Sequence, residues 1–320
     1  MKAAIRSKYG LPNVLSILEI ETPGPKDKEI LVRVYAATVN RTDCAILEGN
    51  PFAMRFFTGL FKPKLSSTGT DFAGKVEAAG KYVSAFKVGD SVWGFAGSGI
   101  GSHAEYITIK ENGPVITMPD NTSYEQAAAS AEGAFYAWNF IKRIKIKKDD
   151  KALVNGATGA IGSAAVQLFK YFGAHVTAVC NRRNMELIRS IGADRLIDYM
   201  ENDFTKEDQK YHFIMDAVGK SSFSKCKPIL YPNGVYTSSQ GFDLFYLPFI
   251  TRLWGDKRVV FGVPNDIKGG LNFIKDLIEK KQFKPVIDRC YPLEKIVEAF
   301  NYVDSGEKTG NVVLTLGGKS

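Results

Sequence analysis

The sequence is poor in the residues from which structural metal sites and disulfide frameworks are built. It has four cysteines and three histidines in 320 residues, and no two cysteines form a CxxC pair. This scarcity argues against a structural zinc site and against a disulfide-stabilised scaffold. Free thiols in a chain of this size are typical of a reducing compartment, so we expect a cytoplasmic protein.

Long apolar runs and long basic arms are missing as well. The first residues, MKAAIRSKYG, lack the apolar core of a signal peptide, and the most apolar stretch, LFYLPFIT at 244–251, is too short to cross a bilayer. The net charge of +8 favours anionic partners. Its basic clusters are short and carry no interleaved aromatic residues, so we expect no nucleic-acid binding.

Two different sequence textures divide the chain. Residues 1–120 consist of short apolar runs separated by Gly, Pro and Asp, which is typical of strands and turns. From Lys151 onward, short apolar runs alternate with stretches at helical spacing, and RVVFGV at 258–263 is predicted to be the final strand of this series. The alternation predicts an α/β fold with a doubly wound parallel sheet. We therefore expect a dinucleotide-binding domain at 122–263, inserted between the two parts, 1–121 and 264–320, of a β-rich domain.

A helix is predicted to begin near SYEQAAAS, where the texture changes. Asn121 or Thr122 would be its N-cap, with Glu125 in the first turn. Such a side chain satisfies a backbone N–H group that has no partner within the helix.

The stretch LVNGATGAIG at 153–162 places three glycines directly after an apolar strand and before a helix. Gly156 permits a tight turn, Gly159 lets backbone amides approach a pyrophosphate, and Gly162 lets the helix pack closely on the strand. Inside a βαβ unit this pattern predicts a dinucleotide site. The alternative is a strand-to-helix turn without a ligand.

The end of the next strand indicates which nicotinamide cofactor is bound. NAD sites usually place Asp or Glu there to hold the ribose 2′-hydroxyl. Here the strand continues into Asn181, Arg182 and Arg183, with no acid. Arginine pairs with a 2′-phosphate that a carboxylate would repel, so we expect NADPH. The alternative is that these arginines are ordinary surface charges.

Further segments occur along the whole chain besides the glycine loop: AATVNRTDCAILEG (36–49), GTDFAGKVEAAG (69–80), FKVGDSVWGF (86–95), SIGADRLIDY (190–199), KPVIDRCYPLEKIVEAF (284–300) and KTGNVVL (308–314). Taken in this order, they resemble the zinc-independent quinone oxidoreductase branch of the medium-chain dehydrogenase/reductase superfamily. The resemblance covers essentially the whole chain. It implies a Rossmann domain, a GroES-like β-rich domain, a homodimer, and reduction of quinones or α,β-unsaturated carbonyls.

The resemblance also implies cofactor contacts residue by residue. The glycine loop would face the pyrophosphate, the two arginines the 2′-phosphate, and later loops the adenosine, ribose and nicotinamide. The residues implied are Thr158, Gly159, Ala160, Ile161, Gly162, Arg182, Arg183, Tyr199, Val218, Ser239, Gln240, Gly262 and Val263.

The zinc-dependent relatives in this superfamily carry a ligand set that is missing here. A cysteine occupies their position matching Asn40, and a His-Glu pair occupies the positions of Thr70 and Asp71. We therefore expect no metal. His103, where relatives often carry Tyr, is expected to be structural.

Without zinc, hydrogen-bond donors must stabilise the charge that develops on the substrate oxygen. Asn40 is the candidate for this role, and Thr70 is a second donor. The alternative for Asn40 is a purely structural turn residue. Some relatives carry a tyrosine five residues after the matching Asn, but this chain has Ala45 there, so no tyrosine proton donor is assigned.

Two segments are unusually aromatic: GFDLFYLPFITRLWG (241–255) and NPFAMRFFTGLF (50–61). They are typical of an apolar substrate cleft between the domains, of a core or subunit interface, or of weak contact with a membrane surface. All three interpretations stay open at this point.

The leading hypothesis is an NADPH-dependent reductase for a small apolar carbonyl or quinone substrate. The other hypothesis is a cofactor-binding but weakly catalytic protein with a nucleic-acid-binding or structural role. The charge of +8 permits the second class, yet no aromatic-basic platform in the sequence supports it.

Overall fold

The structure, a computed structural model, describes residues 1–52, 55–64, 66–96, 101–240, 246–253 and 255–317. Its strands are β1 (Lys2–Ile5), β2 (Ser16–Glu19), β3 (Glu29–Val39), β4 (Asp71–Ala79), β5 (Ser91–Phe95), β6 (Tyr106–Lys110), β7 (Val115–Thr117), β8 (Lys151–Asn155), β9 (His175–Cys180), β10 (Arg195–Asp198), β11 (Tyr211–Asp216), β12 (Leu230–Ser238), β13 (Arg258–Val259), β14 (Ile287–Pro292) and β15 (Asn311–Thr315).

The α-helices are α1 (Arg41–Glu48), α2 (Arg55–Thr58), α3 (Tyr124–Ala129), α4 (Glu132–Ile141), α5 (Ala160–Tyr171), α6 (Met185–Ser190), α7 (Phe223–Cys226), α8 (Leu247–Leu253), α9 (Ile267–Glu279) and α10 (Ile296–Asp304). Short 3-10 turns cover Pro12–Val14, Arg182–Asn184, Phe204–Lys206, Lys227–Ile229 and Leu293–Lys295. In the part of the chain that the structure describes, no helix combines the length and apolar character needed to cross a membrane.

The chain forms two compact units. The first contains Met1–Glu132, Leu271–Glu279 and Val286–Ser320, and the second contains Gly133–Gly270 and Lys280–Pro285. Both ends of the chain therefore contribute to the first unit. The boundaries at 121 and 263 expected from the sequence remain predictions.

The second unit is built on a six-stranded parallel sheet with the order β10-β9-β8-β11-β12-β13. This is the doubly wound order in which β8 and β11 meet at the point where the direction of winding reverses. The central strand β8 is largely apolar because helices cover such sheets on both faces; Ala152, Leu153 and Val154 are fully buried. The predicted α/β fold class is confirmed.

The last strand of this sheet is shorter than the sequence suggested. The run at 258–263 pairs as a strand only over Arg258–Val259. The Gly262 carbonyl accepts from the Asn139 amide at 2.8 Å, and the Val263 carbonyl accepts from the Arg143 guanidinium at 2.6 Å. Side chains of α4 and its C-terminal end thus take the bonds that a neighbouring strand would need.

The first unit is built around β3, which pairs with β4, β6 and β15. Its seven-stranded sheet has the order β14-β15-β3-β4-β5-β7, with β6 also bound to β3. Along the first half of β3, Ile30, Val32 and Val34 are buried and alternate with partly exposed residues, as expected for one core-facing side. Because β15 pairs with β3, the C-terminal part of the chain completes the GroES-like β-rich unit.

The cap of α3 differs from its prediction. The N-cap is Ser123, whose hydroxyl accepts from the Gln126 backbone N–H at 3.2 Å, while the Gln126 side chain accepts from the Ser123 N–H at 3.3 Å. The prediction of Asn121 or Thr122 as the N-cap was wrong by two positions or one. Asn121 has a left-handed φ of +56° and belongs to the preceding turn, so the reciprocal Ser–Gln pairing decides where the helix begins.

Candidate active site

The glycine loop connects β8 to α5 in the second unit. Gly156 has a φ of +75°, and Gly162 packs so closely on it that an added Cβ would collide with the Gly156 carbonyl oxygen. Gly159, the N-cap of α5, is different: a Cβ there would find only the Gly156 oxygen, at 3.7 Å. The chain itself does not need a glycine at 159, but a group lying over the loop would. Thr158, Ala160 and Ile161 complete the loop and the first turn of α5.

Asp216, at the end of β11, organises a second turn beside this loop. It is fully buried, and its carboxylate accepts from the backbone N–H groups of Gly219 (2.9 Å) and Ser221 (2.7 Å) and from the Asn155 amide (3.0 Å). Val218 lies in this turn and contacts the position of the missing Gly156 Cβ. Sequence reasoning missed Asn155 and Asp216, although both are polar residues at the carboxyl ends of neighbouring buried strands.

The predicted adenosine end follows β9 and β10. Arg182 and Arg183 lie in the 3-10 turn after β9, and both are exposed. Tyr199 is 55% exposed, and its backbone N–H bonds to the Cys180 carbonyl at 3.3 Å, which holds it beside the end of β9. Arg182 pairs with Glu201 at 3.3 Å. That pair is exposed on both sides and worth about 0–1 kcal/mol, so a phosphate could replace the carboxylate at little cost.

Unpartnered polar atoms accompany these strand ends. The side-chain oxygens of Asn181, after β9, and Ser239, after β12, are buried without a hydrogen-bond partner. Gln240 is exposed and Val263 is 60% exposed, whereas Gly262 packs against Phe140. A cofactor hydroxyl or amide could satisfy the orphaned oxygens, since buried polar groups in proteins are normally paired. The loop and these side chains therefore fit a nicotinamide dinucleotide.

Asn40 and Thr70 belong to a group of hydrogen-bonded polar residues in the first unit, which we call the polar frame. Its members are Thr38, Asn40, Asp43, Thr70, Asp71 and Glu132. Asn40 lies between β3 and α1, where its backbone N–H bonds to the Asp43 carboxylate at 2.8 Å. Its side-chain amide donates to the Thr38 hydroxyl at 2.5 Å and makes a longer contact of 3.4 Å to Asp71. Asp71 also accepts from the Thr38 backbone N–H at 2.8 Å and the Thr38 hydroxyl at 2.6 Å. Pairing of β3 with β4 brings these residues together.

Thr70 hydrogen-bonds Glu132, the first residue of α4. The Thr70 hydroxyl donates to the Glu132 carboxylate, which is only 5% exposed and also accepts from the side chains of Thr42 and Asn40. Thr70 and Thr42 themselves are half-buried. Sequence reasoning missed Glu132 because it lies 62 positions from Thr70, at the start of an apolar helix.

Three carboxyl groups of the frame, those of Asp43, Asp71 and Glu132, repel one another electrostatically. Burial, followed by repulsion from Glu132, raises the pKa of Asp71 to about 7. The same two causes raise the pKa of Asp43 well above its ordinary range. Burial also raises the pKa of Glu132, against its hydrogen-bond donors and the charge of Lys308. Burial lowers the pKa of Lys308 to about 8. Near neutral pH the frame therefore shares its charge among several groups.

His103 is fully buried beneath the frame. Its Nε2 lies 2.9 Å from the Thr38 carbonyl, and because a carbonyl can only accept, Nε2 carries the hydrogen. Its Nδ1 then accepts from the Thr68 hydroxyl at 2.8 Å. Burial lowers the pKa of His103 to about 4, so the ring is neutral at physiological pH. This position and these bonds support a structural role.

The frame does not fit a zinc ion. Zinc in dehydrogenases requires a set of Cys, His or carboxylate ligands that converge on one point. Asn40 and Thr70 direct their hydrogens to neighbouring oxygens, and the carboxylates of Asp43 and Asp71 already accept backbone N–H groups. Across the described residues, no group of three or more His, Cys, Asp and Glu side chains is arranged to hold a metal.

The aromatic segments noted in the sequence fall partly outside the described residues, which omit 53, 54, 241–245 and 254. Of the described part, Phe61 is 91% exposed in the first unit and Phe249 is 73% exposed in the second. The three interpretations given for these segments stay predictions.

Comparison with known proteins adds family models and relatives. Residues 26–120 match the alcohol dehydrogenase GroES-like domain, and residues 191–314 match a model described as zinc-binding dehydrogenase. The chain is 30% identical to a chloroplastic quinone-oxidoreductase homologue of Spinacia oleracea, over 98% of each chain. It is 28% identical to the chloroplastic NADPH-dependent alkenal/one oxidoreductase of Arabidopsis thaliana, covering 98% of this chain and 79% of that protein.

A solved structure shares the whole architecture. The quinone oxidoreductase from Coxiella burnetii superposes with a TM-score of 0.87 at 25% identity, over 98% of this chain and 99% of the other. The match therefore includes both the parallel-sheet unit and the β-rich unit.

Proposed function

The chain belongs to the quinone oxidoreductase branch of the medium-chain dehydrogenase/reductase superfamily, and on that premise we propose that it uses NADPH to reduce quinones or the C=C bond of α,β-unsaturated carbonyl compounds. The observation that carries the proposal is the glycine loop, where Gly159 leaves space for a group over the N-terminus of α5. The names of the relatives, which include a quinone-oxidoreductase homologue and an alkenal/one oxidoreductase, support the substrate class. They favour a reductase over a weakly catalytic binding protein.

The cofactor is a nicotinamide dinucleotide, and we take NADPH as its form. The backbone N–H groups of the loop and the N-terminus of α5 would hold the pyrophosphate. Arg182 and Arg183 would hold the 2′-phosphate, since two exposed guanidinium groups follow β9 where NAD sites place an acid. Tyr199 would border the adenosine, and Val218, Ser239, Gln240, Gly262 and Val263 the ribose and nicotinamide. When bound, the reduced nicotinamide supplies the hydride.

Asn40 and Thr70 would polarise the substrate oxygen. The Asn40 amide has two hydrogens: it donates one to Thr38, and Glu132 and Asp71, the latter at a long 3.4 Å, share the other. A substrate oxygen would compete for that shared hydrogen. A donor aimed at the oxygen stabilises the negative charge that develops as the β-carbon is reduced. The buried frame around Thr38 and Asp71 keeps both donors fixed before the substrate arrives.

A homodimer and a cytoplasmic location are further parts of the proposal, as is weak contact with a membrane surface. Each rests on the family resemblance or on the composition of the chain, and light scattering, fractionation of cells and vesicle sedimentation test them separately.

The experiment that tests the function follows the oxidation of NADPH and NADH in the presence of quinones, 2-alkenals, 2-alkenones and saturated aldehydes. We expect turnover with NADPH on unsaturated carbonyls or quinones, none on saturated aldehydes, and no change after treatment with a strong zinc chelator. Zinc analysis of the purified protein should show far less than one atom per chain. Turnover of saturated aldehydes that the chelator abolishes would overturn the proposal.

A further inference from the structure

Glu132 is a buried acid that the proposed function leaves without a task. Of the three carboxyls in the frame, Asp43 and Asp71 are fully buried, and their partners are backbone groups together with the nearly fully buried side chains of Thr38 and Asn40. Glu132 alone among them hydrogen-bonds hydroxyls that are themselves half-buried, those of Thr70 and Thr42. Of the three acids, Glu132 is therefore the one that can pass a proton from the frame to a half-buried hydroxyl.

The direction of the Thr70 hydrogen bond depends on the state of Glu132. While Glu132 is ionised, the hydroxyl of Thr70 must donate to it, and no hydrogen remains for a substrate oxygen. Once Glu132 is protonated, it can donate to Thr70, and the hydroxyl is free to donate elsewhere. A substrate oxygen beside Thr70 would thus meet a donor only in the protonated state.

We propose that Glu132 supplies the proton taken up during reduction and passes it through the Thr70 hydroxyl to the substrate oxygen. This rests on the proposed function. The β-carbon of the enone accepts a hydride from reduced nicotinamide, the C=C electron pair shifts toward the carbonyl carbon, and the carbonyl π pair moves to the oxygen. That oxygen takes the Thr70 hydroxyl proton while Thr70 takes the Glu132 proton, leaving a carboxylate and an enol. The enol becomes the saturated carbonyl in water, and Glu132 regains a proton from solvent.

The surroundings of Glu132 suit this role. Asp43 from α1 and Asp71 from β4 are the acids that it repels, and Lys308, from the segment before β15, is the cation whose charge favours the ionised form of Glu132. Burial raises the pKa of Glu132, and the mutual repulsion of the acids keeps a proton in the cluster near neutral pH. General acids work best when their pKa lies near the working pH.

The test compares Glu132→Gln and Thr70→Val with the wild type. Gln keeps the size of Glu but cannot deliver a proton, and Val keeps the shape of Thr without the hydroxyl. Both should lower kcat with a 2-alkenone by about 10²-fold, the usual contribution of a general acid, with NADPH affinity within twofold. Thr70→Ser should retain most of the wild-type kcat, and Thr42→Val should leave kcat within a few-fold.

Two further measurements separate a proton relay from mere packing. The wild-type kcat should fall as pH rises through the pKa of the cluster, and the Glu132→Gln profile should be flat over that range. In the protein without cofactor, infrared difference spectra between acidic and alkaline pH should show a buried carboxylic acid band that Glu132→Gln removes or diminishes. Thermal unfolding reports whether each variant is folded; if Glu132→Gln does not fold, Thr70→Val carries the test.

The outcomes are distinguishable. Glu132→Gln with wild-type kcat and pH profile would overturn the relay while the proposed function stands. Equal losses of kcat in Thr42→Val and Thr70→Val would overturn the role of Thr70 as the group that passes the proton to the substrate. Absence of the carboxylic acid band in the wild type would overturn the role of Glu132 as the group that holds the proton. A wild type that binds NADPH but turns over neither quinones nor enones would overturn the proposed function and the relay together.

Discussion

Thr70 donates the hydrogen of its hydroxyl to the carboxylate of Glu132, 62 positions further along the chain. The bond joins the residue just before β4 to the first residue of α4. Whether the Thr70 hydroxyl can donate to a substrate oxygen therefore depends on the protonation state of a buried acid. The same frame includes Asn40, so both candidate donors of the site share one hydrogen-bond network.

The glycines of the loop provide a matched pair of variants. Gly159→Ala adds a Cβ that meets nothing closer than 3.7 Å within the chain, so the free energy of unfolding should change by no more than about 1 kcal/mol, the cost of a poorer N-cap. Its NADPH affinity should fall more than tenfold because the Cβ would enter the space that we assign to the pyrophosphate. Gly162→Ala should instead lower the unfolding free energy by about 3 kcal/mol, as overpacking does. Urea unfolding and NADPH titration measure both effects; unchanged NADPH affinity in Gly159→Ala would contradict the assignment.

Replacement of Arg182 and Arg183 by Ala tests cofactor preference. Charge-assisted bonds to a phosphate contribute about 1.5–3 kcal/mol, so NADPH affinity should fall at least tenfold while NADH affinity stays within about threefold. Arg189→Ala, an exposed arginine on the following helix α6, is the control and should change neither. Equal losses of NADPH and NADH affinity would contradict contact with the 2′-phosphate.

Asn40→Ala tests the donor assigned to the substrate oxygen. Turnover should fall about 10²-fold, the usual cost of one such donor, with NADPH affinity unchanged. Stability should fall by about 1–3 kcal/mol because buried oxygens of the frame lose their donor. Steady-state kinetics, cofactor titration and thermal unfolding separate the three effects. Wild-type turnover in a destabilised variant would reduce Asn40 to a structural turn residue.

The lowered pKa of His103 predicts that the protein loses stability at acid pH. Its pKa is lowered to about 4 in the folded protein from an ordinary value of 6.5, so the unfolded chain binds a proton first as pH falls. The stability it contributes is complete above pH 6.5 and declines toward pH 4, by about 3 kcal/mol in total. His103→Gln retains an N–H donor but does not titrate, and carboxyls with raised pKa values affect both proteins alike. The difference between their unfolding free energies should therefore shrink as pH falls; a constant difference would contradict a neutral buried ring.

Much of the parallel-sheet unit follows from local pattern. The strand at Lys151–Asn155, the glycine loop and the helix that follows lie where the apolar spacing predicted them, because this strand is buried after its first residue. Strand ends were less predictable. The short β13 results from bonds that Asn139 and Arg143 make to carbonyls more than a hundred positions away, and no local pattern encodes such bonds.

The polar frame shows the same limit. Asn40 and Thr70 were identifiable by their resemblance to metal-binding positions of the superfamily. Glu132 and Lys308 were not, because their relation to Thr70 exists only after α4 and the segment before β15 fold onto the sheet. A buried acid is distinguished from a surface acid by its surroundings, and one glutamate at the start of an apolar helix gives no such signal.

The most direct test of the central claim uses NADPH that carries deuterium at the transferable position of its nicotinamide, with a 2-alkenal as substrate. The account predicts a saturated aldehyde with deuterium on the former β-carbon, found by mass spectrometry and NMR. Deuterium on the carbonyl carbon of an allylic alcohol would contradict it, because that product comes from carbonyl reduction. So would a protein that binds NADPH yet oxidises it with neither the alkenal nor a quinone.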